Sequence, residues 1–319
     1  MPRVSLAVLN YDGRELLEVV LPSLAAQEFT DFETIVIDNA SHDDSLAYLQ
    51  EHWPDVRVVS VGRENVGVSA ALNVAVRSAR GELVALLNND IELEPSWLGE
   101  LVAALDRHPD AVSVAGKLLS FYARDRIDSA GDIFTRSATA FGRGAGELDD
   151  GRYDEEEVVF APTAGAALYR AEAFDLIGLF DESFWAYFED VDWGLRAVLA
   201  GRRSWYVPSA RGYHMGSRTT RPTVNHRFFT LQRRNTLGLL VKDVPIRYIV
   251  GNLHRILAHH AVSLLYSARA GLLLPHLRGY IDALRMTPAW LRERRRIQAG
   301  ARIAAREFAA RVAAGGRHA

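Results

Sequence analysis

The chain has 319 residues, 49% of them hydrophobic and 24% charged, which excludes disordered and collagen-like classes. It has no cysteine, so a disulfide framework and a thiolate metal site are excluded and a reducing, cytoplasmic compartment is expected. The formal net charge of −3 conceals an asymmetry: from Arg285 onward nine arginines face only Glu293 and Glu307.

That length suits one large α/β domain with an appendage, or two small domains. The opening MPRVSLAVLNYDG carries one basic residue and a short apolar stretch, so it reads as a first strand and not as a signal peptide. Short apolar runs at Val4 to Leu9, Glu33 to Ile37, Arg57 to Val61 and Leu83 to Leu87 alternate with helix-like segments at Glu15 to Ala26, Asp44 to His52 and Val68 to Ala79. Ser41 and Asp43 are natural N-caps for the second helix. Helical crossovers between strands predict a parallel sheet flanked by helices.

The fourth run stops at Asn88, Asn89 and Asp90, and Glu-Pro-Ser then predicts a new helix just beyond Pro95. A further strand is expected over Val112 to Lys117, whereas residues 118–157 lack a period and read as loops and irregular strands over the sheet edge. Order returns at Val158 to Tyr169, and Val191, Leu195, Val198 and Leu199 mark one helical face that Gly201 ends. Ser204 to Val207 is a candidate strand. Residues 224–240 and most of 245–313 are helical in pattern, with a boundary drawn near Val241.

Polar residues at strand ends gather on one edge of a parallel sheet, where such folds bind ligands. Asn10 and Tyr11 follow the first strand, Asp38 and Asn39 the second, and Asp90 the fourth. An aromatic face with separate carboxylates suits a nucleotide: Tyr11 to stack on a base, Asp38 to accept from a base or ribose, and Asp90 to reach a phosphate-bound cation such as Mg²⁺ or Mn²⁺. Asn39, Ser41 and Asp43 are read as turn and cap formers. Asp192 lies four residues before Arg196, the spacing of an ion pair on a solvated helix face. His214 alone reads as a loop histidine.

Taken together, NYDG (10–13), VIDNAS (36–41), ENVG (64–67), LLNNDIEL (86–93), FWAYFEDVDWGLR (184–196) and His214 with Ser217 resemble the family 2 inverting glycosyltransferases of GT-A fold, nearest the rhamnosyltransferase-like branch. The likeness runs from Val4 to about Asn235. It implies a GT-A, Rossmann-like sheet with a nucleotide-sugar half over residues 1–117 and an acceptor half over 158–240, followed by a basic amphipathic helical extension over 241–319. It also implies transfer of one sugar, rhamnose among the candidates, from a nucleoside diphosphate donor to a hydroxyl of a glycan or lipid-linked acceptor.

Carried over by position, Asn10, Tyr11, Asp38, Asn65, Gly67 and Asn89 would bind the nucleotide. Asp90 and His214 would hold the divalent metal, and Asp190 would be the catalytic base, with Glu189 as the other candidate. Trp185 or Tyr187 would face the acceptor. Asn88 stands where the metal motif has its first acid. Ala70, Ala71 and Leu72 stand where some relatives place a phosphate-binding arginine, so Arg233 or Arg234 is expected to take that role.

The basic amphipathic tail suits a membrane interface carrying anionic lipid, at the inner face of the cytoplasmic membrane; a helical bundle or a homodimer is the other reading. No uninterrupted apolar run is long enough to span. A dehydrogenase is excluded for want of G-x-G-x-x-G after the first strand, and nothing matches a nucleic-acid-reading motif. The rival class is a catalytically silent nucleotide- or carbohydrate-binding module, suggested by Asn88.

Overall fold

The computed structural model describes residues 1–163, 165–216 and 226–313. Four strands, β1 (Val4–Asn10), β2 (Phe32–Asp38), β3 (Arg57–Ser60) and β4 (Leu83–Asn88), lie parallel in the order β4-β1-β2-β3. They are joined by α1 (Arg14–Ala25), α2 (Ser45–His52) and α3 (Val68–Ser78). The alternation in the sequence predicts this half, with element ends shifted by a residue or two. Register aligns Asn10 with Asp38 across β1 and β2, so both strands end on one edge.

Beyond β4 the sheet becomes mixed. β11 (Ala166–Arg170) runs antiparallel between β4 and β6 (Ala111–Ser120), and the long β12 (Arg203–His214) lies parallel to β6. The short β5 (Ile91–Leu93) pairs with the far end of β12, and β7 (Ile127–Ser129) with the far end of β6. β8 (Asp132–Phe134) and β9 (Ala140–Gly142) form a separate hairpin, while β10 (Glu157–Val159) edges β12. The irregular strands expected over 118–157 are therefore β7 to β9.

Helices cover both faces. α1 and α4 (Trp97–Arg107) close one side, burying Leu17, Leu21, Trp97 and Leu101 against the strands. α3, α5 (Ala171–Ile177) and Trp193 of α6 (Glu189–Leu199) close the other. The α6 face of Val191, Leu195, Val198 and Leu199 packs in a third cluster with Leu239 of α7 (His226–Lys242), Tyr248 and Ile256 of α8 (Ile246–Arg269), and Phe308 and Val312 of α10 (Ala305–Val312). α9 (Leu273–Ala299) lies along α7 and buries Trp290 beside Phe184. The boundary drawn at Val241 falls in the last turn of α7.

One expectation about α6 needs correction. Asp192 does pair with Arg196, at 2.7 Å, but it is fully buried and not on a solvated face, and Lys242 of α7 is its second partner. A buried carboxylate requires such compensation.

Candidate active site

A cleft of about 850 Å³ opens at the carboxyl ends of β1 and β4, facing the segment that leads into α6. Its first wall is a polar rim. Asn10 accepts at Oδ1 from Asn89 Nδ2 at 2.8 Å and donates to Ser41 Oγ at 3.2 Å. Gly13 makes this pairing feasible, because a Cβ there would stand 2.1 Å from Asn89 Nδ2.

Asn39, read from sequence as a turn former, instead ties the rim together. It accepts the Val66 N–H at 3.0 Å and donates to Asn65 Oδ1, which also accepts the Gly67 N–H. Gly67 has φ +88°, and a Cβ on it would lie 2.7 Å from the Trp185 indole, so only glycine suits this position. Tyr11, Asn65, Gly67 and Asn89 line the cleft. Asp38 does not; it is 2% exposed, with its carboxylate 3.4 Å from the Ser41 N–H. The N-cap residue of α2 is Asp44, not Ser41 or Asp43; Asp43, one residue earlier, accepts from the N–H of Ser45 and from that of Arg14 at the start of α1.

Sheet register builds the centre. β12 pairs with β5 so that His214 stands opposite Ile91, and the Met215 N–H donates to the carbonyl of Asp90. His214 Nε2 consequently lies 3.3 Å from Asp90 Oδ2. β6 holds β7 alongside, bringing Asp128 Oδ2 to 2.8 Å from His214 Nδ1. Burial opposes the imidazolium, but hydrogen bonds to Asp128 and Asp90 outweigh it and push the His214 pKa up to about 10. Asp90 Oδ1 is buried without a hydrogen-bond partner. Ser217 lies outside the described residues.

The opposite wall carries three carboxyl groups, from Asp132, Glu189 and Asp190. Glu189 opens α6 with a buried Oε2 that has no hydrogen-bond partner, and Asp190 Oδ1 accepts the N–H of Val191 at 2.8 Å. Burial first, and then the charge of Asp190, raise the Glu189 pKa to about 8. The same two causes hold Asp132 well above the ordinary carboxylate range, against a hydrogen bond from Thr163. Burial and the neighbouring Asp190 thus favour the protonated forms of Glu189 and Asp132.

The aromatic part of this wall is a strained loop. Trp185, Tyr187 and Phe188 all have φ between +64° and +70°, a costly conformation for residues with a Cβ. Asn235 of α7 holds it: Nδ2 lies within 3.0 Å of the carbonyls of Phe184, Ala186 and Tyr187. Arg234 adds bonds to the carbonyls of Ser183 and Phe184. The Trp185 and Tyr187 side chains line the cleft with Phe228, whereas Phe184 and Trp193 are core residues.

Residues 5–178, more than half of the chain, match the family model "Glycosyl transferase family 2". The chain belongs to this family. Similar proteins include the O-antigen biosynthesis protein RfbC of Myxococcus xanthus, 32% identical over 69% of this chain and 18% of its own length. The N-acetylglucosaminyl-diphospho-decaprenol L-rhamnosyltransferase of Mycobacterium tuberculosis is 26% identical over 66% of this chain and 76% of its own. The chain thus spans about a fifth of the length of the first curated relatives it matches, 18% and 24%. Among solved structures, residues 1–349 of S. aureus TarS with UDP-GlcNAc align with TM-score 0.57 and 19% identity, over 93% of this chain and 90% of that one. The Pyrobaculum calidifontis mannosyltransferase PcManGT, solved with GDP-Man and Mn²⁺, aligns with TM-score 0.55 and 19% identity over 94% and 86%. These structures share the GT-A fold with this family 2 chain.

Within that family frame, a second expected residue, after Asp38, falls elsewhere. Arg233 does not line the cleft; it donates to Ser263 of α8 at 2.7 Å and lies over the Phe229 ring. Consecutive helical positions diverge by about 100°, so Gln232 reaches the cleft while Arg233 and Arg234 point into protein. Arg227, five residues before Gln232, does line the cleft, 4.2 Å from the Trp185 ring centroid. Among the described lining residues, Arg227 and His214 are the basic ones.

A divalent cation needs unprotonated oxygen or nitrogen ligands. Asp90 Oδ1, buried without a hydrogen-bond partner, is placed to supply one, whereas His214 as an imidazolium would have to release a proton first. No group of three His, Asp or Glu side chains among the described residues is arranged to hold a metal. The residues present fit a cation held by Asp90 together with phosphate oxygens of a bound donor.

Proposed function

We propose that this chain carries out inverting transfer of a single sugar, with rhamnose a leading candidate, from a nucleoside diphosphate donor to a hydroxyl of a glycan or lipid-linked acceptor. The observation that carries the reading is the two-walled cleft, with Asp90 at the end of β4 facing the Glu189–Asp190 pair at the start of α6. Residues 1–240 would carry the reaction, in a nucleotide half and an acceptor half, with residues 241–319 as a helical extension. The names of the rhamnosyltransferase and O-antigen relatives support a polysaccharide or lipid-linked acceptor. Such an acceptor places the protein at the inner face of the cytoplasmic membrane, whether as a monomer or a homodimer.

In this reading Asn10, Tyr11, Asn65, Gly67 and Asn89 hold the nucleotide, and Asp38 supports the rim from the end of β2. When bound, Mg²⁺ or Mn²⁺ at Asp90 would offset charge developing on the leaving diphosphate. His214 and Arg227 bring positive charge to the same region. The acceptor lies against Trp185 or Tyr187, whose rings suit a sugar face. Its hydroxyl attacks the anomeric carbon opposite the diphosphate, and Asp190 takes the proton. The raised pKa values of Glu189 and Asp132 make them poorer candidates for that role than Asp190.

The second reading, a silent binding module, is favoured by Asn88 in place of an acid. Incubation with UDP-, GDP- and dTDP-sugars, with and without Mg²⁺ or Mn²⁺, distinguishes the two. Transfer or hydrolysis releases nucleoside diphosphate and supports the enzyme; binding of donor without release from any of them supports the module. Asp190→Asn is expected to lower kcat by roughly 10²- to 10⁴-fold with little change in donor binding. Turnover at the wild-type rate removes Asp190 as base.

A further inference from the structure

Among the described residues, thirteen of twenty-one exposed large apolar side chains lie between Ile246 and Leu291. On α8 they recur as Ile246, Val250, Leu253 and Leu257, and on α9 as Leu274, Leu277, Ile281, Leu284 and Leu291. Spacings of three, four and seven residues place each set on one helical stripe. Leu274 and Leu284 are 79% and 72% exposed.

The opposite face of α9 is committed elsewhere. His276, Gly279, Ala283 and Trp290 are buried, and a Cβ at Gly279 would meet the Thr230 carbonyl of α7 at 2.7 Å. α8 buries only Tyr248, Ile256 and Ser267 of its 24 residues. Two long helices thus keep an apolar stripe in water, an arrangement that marks an interaction surface.

Charge identifies the occupant. Between Ile246 and Ala299 there are nine arginines, eight of them exposed and Arg294 turned inward to the carbonyls of Val241 and Val244, against two acids, Asp282 and Glu293. Asp282 already lies 3.0 Å from Arg285, and Glu293 3.9 Å from Arg296. A second copy of this surface would set arginine against arginine with no acids left to pair, a juxtaposition that costs affinity. Nucleic acid would satisfy the arginines but leave the leucines and isoleucines in water. An anionic bilayer satisfies both, with aliphatic side chains at the acyl boundary and guanidinium groups at phosphate headgroups.

We propose that the α8–α9 face docks flat on an anionic lipid surface. No helix among the described residues is long and apolar enough to cross a membrane, so this contact is interfacial. Its use rests on the transferase reading: α9 packs along α7, which supplies Arg227 and Phe228 to the cleft, so docking brings the cleft to lipid-linked acceptors.

Flotation with vesicles of phosphatidylglycerol and phosphatidylcholine, against phosphatidylcholine alone, tests the proposal. The protein is expected to float with anionic vesicles, to be released by salt, and to remain behind with neutral ones. Leu274→Glu/Leu284→Glu is expected to lose vesicle binding at least tenfold while keeping wild-type Tm and nucleoside diphosphate release. Wild type that stays unbound to anionic vesicles overturns the proposal, as does a double variant that floats equally well. Self-association in sedimentation that the double variant abolishes, without vesicle binding, assigns the face to a second copy and also overturns it. Vesicle binding by a protein that releases nothing from any donor leaves the docking face standing and removes the transferase reading.

Discussion

At the scale of single residues the site works by unequal treatment of like groups. Asp90 and Asp190 face a shared cleft, while Glu189 and Asp132 carry the burden of burial beside Asp190. A carboxyl with a folded pKa of about 8 and an ordinary value of 4.5 holds a proton that the unfolded chain releases between those values. Its contribution to stability is therefore full below about pH 4.5, falls as pH rises, and levels off above about pH 8. Glu189→Gln removes this dependence, so its Tm relative to wild type is expected to climb between pH 5 and pH 8. A constant difference in thermal melts across that range would show that Glu189 is charged in the native state. That Glu189 and Asp190 open a helix is legible from two acids ahead of an apolar helical face, whereas the role expected of them comes mainly from the family resemblance. Asp132 and Asp128 were not legible, because they lie in the segment 118–157, where no period signals which residue turns inward, and only the pairings of β7 and β8 place them.

Elements explain what single positions cannot. The β12–β5 pairing, between segments more than a hundred residues apart, puts His214 beside Asp90. Sequence proximity carries no trace of that register, so His214 was visible only through resemblance. α7 shows the same limit from another side: its helical pattern was evident, yet its orientation was not, and this decided that Arg227 and Gln232 reach the cleft while Arg233 turns to α8. Asn235 is the element's most consequential side chain. Three left-handed residues at about 1–3 kcal/mol each are held by one amide and Arg234, so the loop that shapes this wall of the cleft depends on α7. Asn235→Ala is expected to destabilise the fold by about 2–4 kcal/mol and to raise the acceptor KM more than the donor KM. Equal effects on both KM values, or no loss in denaturant melts, would show that the loop is held by its own contacts.

The molecule as a whole joins a mixed, largely parallel sheet to helices that the sequence marks off as a separate basic extension. Alternation of strand and helix made the first half readable, because each crossover is local and each buried strand is an apolar run. The division near Val241 followed a change of sequence pattern, but pattern reports the class of element and not what it packs against. Tyr248, Ile256, Trp290, Phe308 and Val312 are each at most 6% exposed, and they cover the α6 and Phe184 region behind the acidic pair. Burying each contributes roughly 1.5–3 kcal/mol, a sum comparable to the whole net stability of a domain, about 5–15 kcal/mol. Lys242, the last residue of α7, meanwhile needs Asp181 and Asp192 as partners, and Arg294 of α9 donates to the carbonyls of Val241 and Val244 beside it. Residues 1–242 alone are therefore expected to be unstable, with α6 uncovered, dye-binding apolar surface and rapid proteolysis near the Glu189–Asp190 pair. A fragment that melts cooperatively within a few degrees of the longer chain, with its cleft still binding nucleotide, would establish the extension as an independent body.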